Sequence, residues 1–564
     1  MPQKPIIVEQ SNGEMDNPTA MKIDYQMLRG NFQAGTTTAI FLIPQSMAYA
    51  LVAGVPPVYG LYASLLPLMV YAVIGRSREL ALGPGALDTL LIGVTISSLS
   101  IASQPSAATL AAIIALQVAI IQMALGILRG GFLINFLSKP VVSGFTSAAA
   151  LAIALSQVKH LLGLSTDAGL DFYQEIWQTI THFDEIHLMT TVLGLGSLTF
   201  ILVAKKINKA FPNALAVVIL ATILGTIFQV DQSQVAVLGA IPQGLPQFGF
   251  VELTQEVFFA VLPSSVAIAA VGYLTTISIA RTFADRNRYD IAPNRELIAL
   301  GASNFAASFS QGFPVSASFS RSAVHAEAGA TTPYSLIIVA AWILLTLLFL
   351  TEYLYYLPIA TLAAIIIPAV LGLIDLKLVK TLRTTKPSDM WLLLLTFAST
   401  LTVGIVEGIL IGVIASLGLF IYRTTKPHAA ILGRVGQSMD FRNLKNYPDA
   451  ITYDGVIIIR IDAQFYFGNV SFLKSLLKKL EAESPTPLRT IIIEACSIAQ
   501  IDSSADSALH DIADDFKERN IQLKFASVKV PVLRVMQASG FYQKIQTENF
   551  FMNVDDALQS ESNH

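Results

Sequence analysis

Lysine and arginine are missing from six long stretches of the chain, and this spacing constrains the fold more than any other feature. The stretches are 30–75, 79–128, 160–204, 210–280, 322–376 and 387–422. A bilayer-spanning helix needs about 20 apolar residues, so most stretches hold two crossings and the chain holds about 12 to 14. Only 13% of the residues are charged, about half the proportion in soluble domains. The pattern predicts a polytopic α-helical membrane protein.

The remaining cations lie in short clusters, which indicate the orientation. Cytoplasmic loops of membrane proteins are enriched in Lys and Arg, and the long gaps put successive clusters on the same side of the membrane. Loops 165–188 and 231–256, assigned to the other side, contain acids but no Lys or Arg. We therefore expect an integral protein of the plasma (bacterial inner) membrane with both termini cytoplasmic. The clusters are Arg76/Arg78, Arg129/Lys139, Lys205/Lys206/Lys209, Arg281/Arg286/Arg288/Arg295, Lys377/Lys380/Arg383/Lys386 and Arg423/Lys426.

The two ends of the chain differ in character from its apolar middle. The first 30 residues are polar and lack the apolar core of a secretory signal, so we interpret 1–30 as a cytoplasmic tail. Past Arg423, β-branched runs at 455–469, 489–496 and 521–528 alternate with helical patterns at 470–483 and 503–520. Such alternation is typical of a compact α/β domain. We predict a transmembrane domain at 31–425 and an α/β domain at 440–560.

Two short stretches, 84–99 and 314–330, are too weakly apolar to span as ordinary helices. Each begins at a proline and is rich in Gly, Ala, Ser and Thr. Proline suits the start of a helix, so each stretch could be a half-helix that begins near the middle of the membrane. A matched pair of interrupted segments indicates an inverted-repeat transporter with its substrate site between them.

Arg321 is the one cation between Arg295 and Lys377, in the stretch "GFPVSASFSRSAVHAEAG". A charge at the bilayer centre costs about 2.5–3.5 kcal/mol on insertion scales and needs a partner or a cavity. A half-helix opened or preceded by Pro314 would direct its free N–H groups to the same place, and a helix start plus a cation forms an anion site. Hydroxyls of Ser316, Ser318 and Ser320 could add donors. Alternatively, Arg321 lies at a membrane boundary or pairs with Glu327.

Asp88, in "LGPGALDTLL", is the corresponding oddity of the first half. It could hold a proton or Na⁺, or pair with Arg321 across the site. The alternative is an ordinary acid near a helix N-terminus, where the helix dipole stabilises it.

Other chemistries find little support in the residues. His325 and Glu327 form no metal-ligand set with a second cluster, and Cys496 is the single cysteine. No Gly-Lys-Ser/Thr phosphate loop occurs. The net charge of −3 gives no sign of nucleic-acid binding. We expect no metal, no cofactor and no enzymatic activity.

Ser503 and Ser504 begin the helical pattern at 503–520. Serine is a common N-cap, and this is the expected role of one of them. A phosphoserine at a helix start would also meet the helix dipole, so a regulatory phosphorylation site is the second interpretation.

Several motifs together resemble the sulfate permease family, SulP, which includes animal solute carrier family 26. The transmembrane motifs are "IPQSMAYALVAGVPPVYGLYAS" (43–64), "GRSRELALGPGA" (75–86), and "GASNFAASFSQGFPVSASFSRSAV" (301–324) preceded by "RELIALG". "IDSSA" (501–505) resembles part of the family's STAS domain. The resemblance covers the chain from about residue 25 to 560 and keeps the motifs in order.

The resemblance implies a specific fold and site. It implies 14 transmembrane segments as two inverted repeats of seven, with core and gate domains, followed by a cytoplasmic α/β STAS domain. Relatives are commonly homodimers. Many bacterial relatives carry Glu where Thr275 stands, which puts proton coupling through that position in doubt, although Asp88 could substitute. The substrate-binding residues that the resemblance implies are Gln45, Tyr49, Gly85, Ala86, Ser320 and Arg321, and we add Ser318 from its place beside them.

We expect a secondary active transporter that moves a small anion by alternating access, with sulfate as the first candidate substrate. Bicarbonate or a dicarboxylate is an alternative substrate. Coupling by H⁺ symport, Na⁺ symport or anion exchange stays open. A passive chloride-type anion channel and a membrane-anchored STAS sensor are the alternative functions.

Overall fold

The computed structural model describes residues 25–562, apart from 100–104, 133–137, 165–171, 209–210, 231–234 and 437. The chain divides into two compact units, Met1–Ile414 and Ala415–His564. The helices up to residue 425 are α1 (Tyr25–Val52), α2 (Val58–Tyr62), α3 (Leu66–Ile74), α4 (Ala86–Ser98), α5 (Ala107–Ile127), α6 (Lys139–Leu162), α7 (Phe172–Thr181), α8 (Leu188–Ile207), α9 (Asn213–Phe228), α10 (Gln255–Asn287), α11 (Pro293–Phe309), α12 (Phe319–Glu327), α13 (Ser335–Leu345), α14 (Ile359–Leu371), α15 (Leu376–Thr385), α16 (Pro387–Thr402) and α17 (Ile405–Thr425).

Six helical segments in the described part are long and apolar enough to cross a membrane, and four shorter apolar segments accompany them. The helical membrane domain is therefore as predicted, while the count of 14 crossings stays a prediction. The long segments are Ala107–Ile127, Lys139–Leu162, Leu188–Ile207, Gln255–Asn287, Ile359–Thr385 and Glu407–Thr425. The shorter ones are Val58–Ile74, Ala86–Ser98, Asn213–Phe228 and Ser335–Leu350.

Some predicted segments lie partly outside the described residues. Residues 1–24 of the predicted tail lie outside the described residues, and 25–30 already belong to α1. The acidic loop predicted at 165–188 contains the helix α7 instead of being loop throughout. Its first residues, 165–171, and 231–234 of the second acidic loop are outside the described residues, as is Lys209 of one basic cluster.

The two predicted half-helices are present and begin at a pair of very short strands. β1 (Leu82–Gly83) pairs antiparallel with β2 (Ser316–Ala317). Helix α4 begins directly after β1, and α12 directly after β2. The prolines do not occupy the first turns: Pro84 precedes the N-cap of α4, and Pro314 precedes β2. The strand pair thus joins the two halves of the membrane domain at the point where both half-helices begin.

The neighbouring helices enclose the β1–β2 strand pair. Helix α1 packs against α2, α4, α12 and α13, and α10 packs against α4, α5 and β2. Helix α2 approaches α1 so closely that a Cβ on Gly60 would lie 2.0 Å from the carbonyl oxygen of Ser46, so only glycine fits there. This contact lies beside Pro44, which sits within α1.

The second unit contains a six-stranded sheet in the order β4-β3-β5-β6-β7-β8. Strands β5 to β8 are parallel, as expected where helices connect successive strands, and β3 is antiparallel to both of its neighbours. The strands are β3 (Ala429–Arg434), β4 (Phe441–Asn443), β5 (Val456–Ile461), β6 (Thr490–Glu494), β7 (Gln522–Ala526) and β8 (Phe550–Phe551). The helices are α18 (Val470–Ala482), α19 (Ser503–Glu518), α20 (Val530–Ala538), α21 (Phe541–Lys544) and α22 (Val554–Ser562).

Strand residues alternate between two cores, one on each face of this sheet. Ile491 and Ile493 of β6 belong to the core with α18, α19 and α20, whereas Ile492 belongs to the core with α22. The α/β domain is as predicted, but β3 begins before the predicted boundary at 440. Sequence patterns also missed the strands β3, β4 and β8 and the helices α20 to α22.

Two ion pairs attach α22 to the sheet. Arg434 pairs with Asp555, and Lys524 pairs with Glu561. The Lys524 side chain is only 3% exposed, and its Nζ also donates to Ser560 Oγ at 2.7 Å. Removal of one partner from a buried pair leaves a charge without compensation, which costs much more than losing an exposed pair.

We predict that Lys524→Ala weakens the attachment of α22 by about 3 kcal/mol, because Glu561 loses its cationic partner and keeps only the hydrogen bond from Thr490 Oγ1. Hydrogen–deuterium exchange of the full chain should then be about a hundredfold faster in Val554–Ser562. The control is Lys474→Ala, which removes the exposed pair with Asp511. Unchanged protection of α22 in Lys524→Ala would contradict the prediction.

Candidate functional site

Both half-helices begin without a side-chain cap. The N-cap of α4 is Gly85 and that of α12 is Ser318, and neither makes a capping side-chain hydrogen bond. The first-turn N–H groups of a helix have no intrahelical partner, and they carry the positive end of the helix dipole. Two positive helix ends therefore meet at the β1–β2 pair.

Arg321 lies in the first turn of α12 and is 2% exposed. Its Nε donates to the carbonyl oxygen of Ala81 at 3.1 Å, and Nη2 donates to that of Ser316 at 3.3 Å. Its Nη1 donates to Gln45 Oε1 at 3.1 Å and to the carbonyl oxygen of Pro84 at 3.3 Å. All four acceptors are neutral, so the guanidinium charge is not cancelled by a carboxylate in hydrogen-bonding contact.

One alternative for Arg321, a pair with Glu327, does not occur in this structure. Glu327 is exposed at the other end of α12, so it is not the partner of the buried Arg321. Arg321 is 2% exposed, so its guanidinium does not reach solvent in the described structure. Arg321 instead cross-links the two halves of the chain, since its acceptors include carbonyls on both sides of the strand pair.

Gln45 and Tyr49 lie together on α1, one turn apart, beside the guanidinium. Gln45 Nε2 donates to Tyr49 Oη at 3.1 Å, while Gln45 Oε1 accepts from Arg321. Tyr49 is buried and Gln45 is half-buried. One amide proton of Gln45 and the hydroxyl proton of Tyr49 remain available as donors, because each group has more donor capacity than these bonds use.

The three serines of the second half have different surroundings. Ser318 and Ser320 hydroxyls lie 3.2 Å apart, with Ser320 exposed and Ser318 half-buried. Ser316 is buried, and its hydroxyl donates to Asp88 Oδ2. The expectation that Ser316 is a free donor beside Arg321 was therefore wrong, because its hydroxyl is committed to Asp88.

Asp88 is 2% exposed in the first turn of α4. Its Oδ2 accepts from Ser316, whereas its Oδ1 is buried and has no hydrogen-bond partner among the described residues. Oδ1 faces α10, where a Cβ on Gly272 would lie 3.3 Å from it. Asp88 makes no direct ion pair with Arg321 in the described structure; Ser316 connects them instead, through its hydroxyl and its carbonyl.

Thr275 lies half-buried on the same helix α10, next to Thr276. It is Thr276, a residue that the sequence analysis missed, that contacts the strand pair: its Oγ1 accepts from Ala317 N at 3.1 Å. Threonine in a long apolar helix is an available sequence signal, but it does not say which of two adjacent threonines faces the site.

A buried amide relay, also missed, supports β2 from behind. Val315 N donates to Asn304 Oδ1 at 2.7 Å, and Asn304 Nδ2 donates to Gln122 Oε1 at 2.9 Å. Gln122 Nε2 in turn donates to the carbonyl oxygen of Ala269 at 3.1 Å. The relay links α5, α10 and α11 to the segment that holds the site. Uncharged amides within apolar helices were the signal that could have found it.

His325 has a structural environment. Its Nδ1 lies 2.7 Å from Thr38 Oγ1 and its Nε2 lies 2.8 Å from Ser335 Oγ, so both ring nitrogens contact hydroxyls. Among the described residues, no group of three or more His, Cys, Asp or Glu side chains could hold a metal ion.

In the C-terminal domain, Asp502 is the N-cap of α19, and its carboxylate accepts from Ala505 N at 2.8 Å. The prediction that Ser503 or Ser504 is the cap was wrong: Asp502, one position earlier, satisfies the same amides. Both serines are exposed in the first turn of α19. Their phosphorylation stays a prediction.

A charged group at the carboxyl ends of β5 and β6 is the other polar cluster of this domain. Partial burial by itself raises the pKa of Asp462, but hydrogen bonds from His428, Arg460 and Ser497 outweigh burial and bring the pKa below its usual value. Burial raises the pKa of Glu494. His428, Arg460 and Ser497 all contact the Asp462 carboxylate, whereas Glu494 Oε2 has no hydrogen-bond partner among the described residues.

Fold and site together define a polytopic membrane transporter whose two half-helices begin at the β1–β2 strand pair. The chain belongs to the sulfate permease family, whose model matches residues 28–396, and a STAS domain model matches residues 447–557. The family consists of transporters and not of enzymes.

Relatives match almost the whole chain. The probable sulfate transporter 4.2 of Arabidopsis thaliana is 38% identical over 552 residues, covering 95% of this chain and 81% of the relative. A probable sulfate transporter of Mycobacterium tuberculosis is 32% identical over 533 residues, covering 94% of this chain and 95% of the relative.

Solved structures show the same fold. Murine Slc26a9 in the inward-facing state matches with a TM-score of 0.88 at 23% identity, covering 96% of this chain and 92% of that one. The transmembrane domain of the cyanobacterial bicarbonate transporter BicA matches with a TM-score of 0.60 at 20% identity, covering 70% and 99%.

We predict that Asn304→Ala lowers stability by about 2–3 kcal/mol, because Val315 N–H and Gln122 Oε1 become buried groups without partners. The thermal midpoint of the purified protein in detergent measures the effect. Gln255→Ala, which removes an exposed amide in the first turn of α10, should leave the midpoint unchanged. Equal midpoints for the two variants would show that the relay does not support the fold.

Proposed function

We propose that this protein is a secondary active transporter that carries a small inorganic oxyanion, most specifically sulfate, across the membrane by alternating access. The observation that carries the proposal is the buried Arg321 charge beside two uncapped helix starts. The similarity to sulfate transporters over at least 94% of the chain supports sulfate as the substrate.

The chemistry of the site suits a sulfate dianion, which accepts hydrogen bonds and donates none. Donors available to it are the first-turn amides from Gly85–Ala86 and from Ser320–Arg321, and the hydroxyls of Ser318 and Ser320. Tyr49 and Gln45 add donors from α1. A helix start that points at an anionic substrate is a recurrent arrangement in transporters with discontinuous helices.

The role of Arg321 is mainly electrostatic in this proposal. Of its five N–H donors, four are used by Ala81, Pro84, Gln45 and Ser316. One N–H on Nη2 remains for the anion. The guanidinium therefore attracts the substrate by charge and holds the two helix starts in place, rather than gripping it with a bidentate fork.

Transport would require the half-helices and their supporting helices to move relative to the rest of the membrane domain. We propose the family's arrangement for this: 14 segments in two inverted repeats, with the half-helices in the core domain and a separate gate domain. A homodimer in the plasma membrane, with cytoplasmic termini, completes the proposal. It rests on the cation clusters and on the family resemblance.

We also propose Ser503 or Ser504 as a regulatory phosphorylation site of the STAS domain. Both are exposed at a helix start, which attracts a phosphate. Asp502 and Asp506 lie beside them and would repel the added charge. Phosphorylation would therefore add repulsion from two carboxylates to the attraction of the helix start.

We predict that Arg321→Ala lowers sulfate uptake into proteoliposomes at least about a hundredfold. The site loses its cation, and the residues around the β1–β2 strand pair lose four hydrogen bonds. Labelled sulfate uptake is measured with bicarbonate, chloride, oxalate and fumarate as competitors, under imposed pH or Na⁺ gradients. Arg281→Ala, an exposed cation of α10, is the control.

A wild-type KM for sulfate in Arg321→Ala would overturn the site. Uptake of bicarbonate or a dicarboxylate in preference to sulfate would overturn the substrate. A flux that neither saturates nor responds to counter-anions would favour a channel, and a protein that moves no anion would favour a sensor.

A further inference from the structure

Asp88 has no role in the site as described so far, although its surroundings are costly for a carboxylate. Its side chain is 2% exposed and its Oδ1 has no hydrogen-bond partner among the described residues. A buried acceptor without a partner costs about 1–3 kcal/mol, and more when it is charged. An oxygen without a partner in this position points to a ligand that binds transiently.

The position of Asp88 ties it to the anion site. It lies in the first turn of α4, whose N-terminal amides we assign to the anion. Ser316 connects the two charged groups, because its hydroxyl donates to Asp88 Oδ2 while its carbonyl accepts from Arg321 Nη2. A change of charge on Asp88 therefore changes the electrostatic potential at the helix starts and at the guanidinium.

The groups around Asp88 leave it as the acid-base group of the site. Arg321 of α12 is the cation that acts on it, and the phenol of Tyr49 on α1 lies near that guanidinium. Helix α10 faces it with Gly272 and the neutral Thr276, and the hydroxyl of Tyr273 donates elsewhere, to the carbonyl oxygen of Pro293. Of the other helices that pack on α4, α5 has no titratable residue, and those of α6 lie in its terminal turns: Lys139, Lys159 and His160.

Charge arithmetic then assigns the occupant of Oδ1. With Asp88 ionised, the charges of Arg321 and Asp88 cancel, and a sulfate dianion would bring two uncompensated negative charges into a buried site. With Asp88 protonated, the site carries one positive charge before the anion enters, and one negative charge remains afterwards. Since uncompensated buried charge is expensive, the dianion enters far more readily in the second state.

We infer that Asp88 binds the proton that accompanies each sulfate dianion through the membrane, which makes it the coupling residue of the transporter. This inference rests on the proposed function and deepens it. A proton from the side of higher acidity forms an O–H bond with the Asp88 carboxylate, and the anion then binds. After the site opens to the other side, the anion leaves, and the O–H bond breaks to return the proton to water.

The test uses the full-length protein in proteoliposomes, with labelled sulfate outside and a pH-sensitive dye inside, at clamped membrane potential. Wild-type protein should acidify the lumen in step with sulfate entry. Above the pH at which Asp88 ionises, the apparent Kd for sulfate should rise up to about tenfold per pH unit.

Asp88→Asn keeps the shape and the neutral state of the protonated acid, so it separates coupling from binding. It should lose sulfate-dependent proton entry and uptake driven by a pH gradient. Sulfate–sulfate exchange should persist within about tenfold of wild type, with a flat pH profile. Asp389→Asn, at the equivalent first-turn position of α16, is the matched control and should retain proton coupling.

Ser316→Ala supplies a second variant that does not remove the carboxyl group. The lost hydrogen bond stabilises the ionised form of Asp88, so half-maximal uptake should move to higher pH while proton entry continues. A purely structural role for Asp88 would not produce such a shift.

Proton entry at the wild-type ratio in Asp88→Asn would overturn the inference. So would wild-type uptake that follows a Na⁺ gradient and ignores a pH gradient. If wild-type protein exchanges sulfate but moves no protons, the inference fails alone. If it exchanges no sulfate at all, the proposed function fails, and the inference fails with it.

Discussion

A buried guanidinium without a contacting carboxylate is the interaction on which the membrane domain depends. Arg321 donates hydrogen bonds to carbonyl oxygens from both halves of the chain. These bonds hold β1 and β2 together where α4 and α12 begin. Because its partners are neutral, we propose that its charge attracts an anion to the helix starts. In the proposed coupling, an ionised Asp88 competes with that anion for the positive charge. Site architecture and proposed coupling therefore have one origin.

Side chains of the surrounding helices stabilise the β1–β2 strand pair rather than the substrate. Asn304 holds Val315, and Thr276 holds Ala317, so the amides that flank Ser316 are satisfied by side chains of α11 and α10. Short strands within an apolar domain require this, since unpaired backbone groups are costly away from water. We propose that these hydrogen bonds keep the two helix starts together during alternating access.

Much of this could be predicted from sequence because membrane burial makes charge rare. An isolated Arg321, proline-started stretches and cation clusters are local signals that need no tertiary information. The direction of the Arg321 donors could not be predicted, because two-residue strands leave no periodic pattern. The commitment of Ser316 to Asp88 and the Asn304 relay depend on distant segments that meet only in the fold. Asp502 is the cap of α19. The sequence could not distinguish it from Ser503 and Ser504, because all three are good cap residues.

The proposed function places an anion between the two half-helix starts. Selenate, a tetrahedral dianion with a heavier central atom, would make that position visible in a cryo-electron microscopy or crystal structure of the purified protein. We expect selenate density within about 2.7–3.2 Å of first-turn amides at Gly85–Ala86 and Ser320–Arg321. Ordered selenate elsewhere, with the helix starts empty, would contradict it.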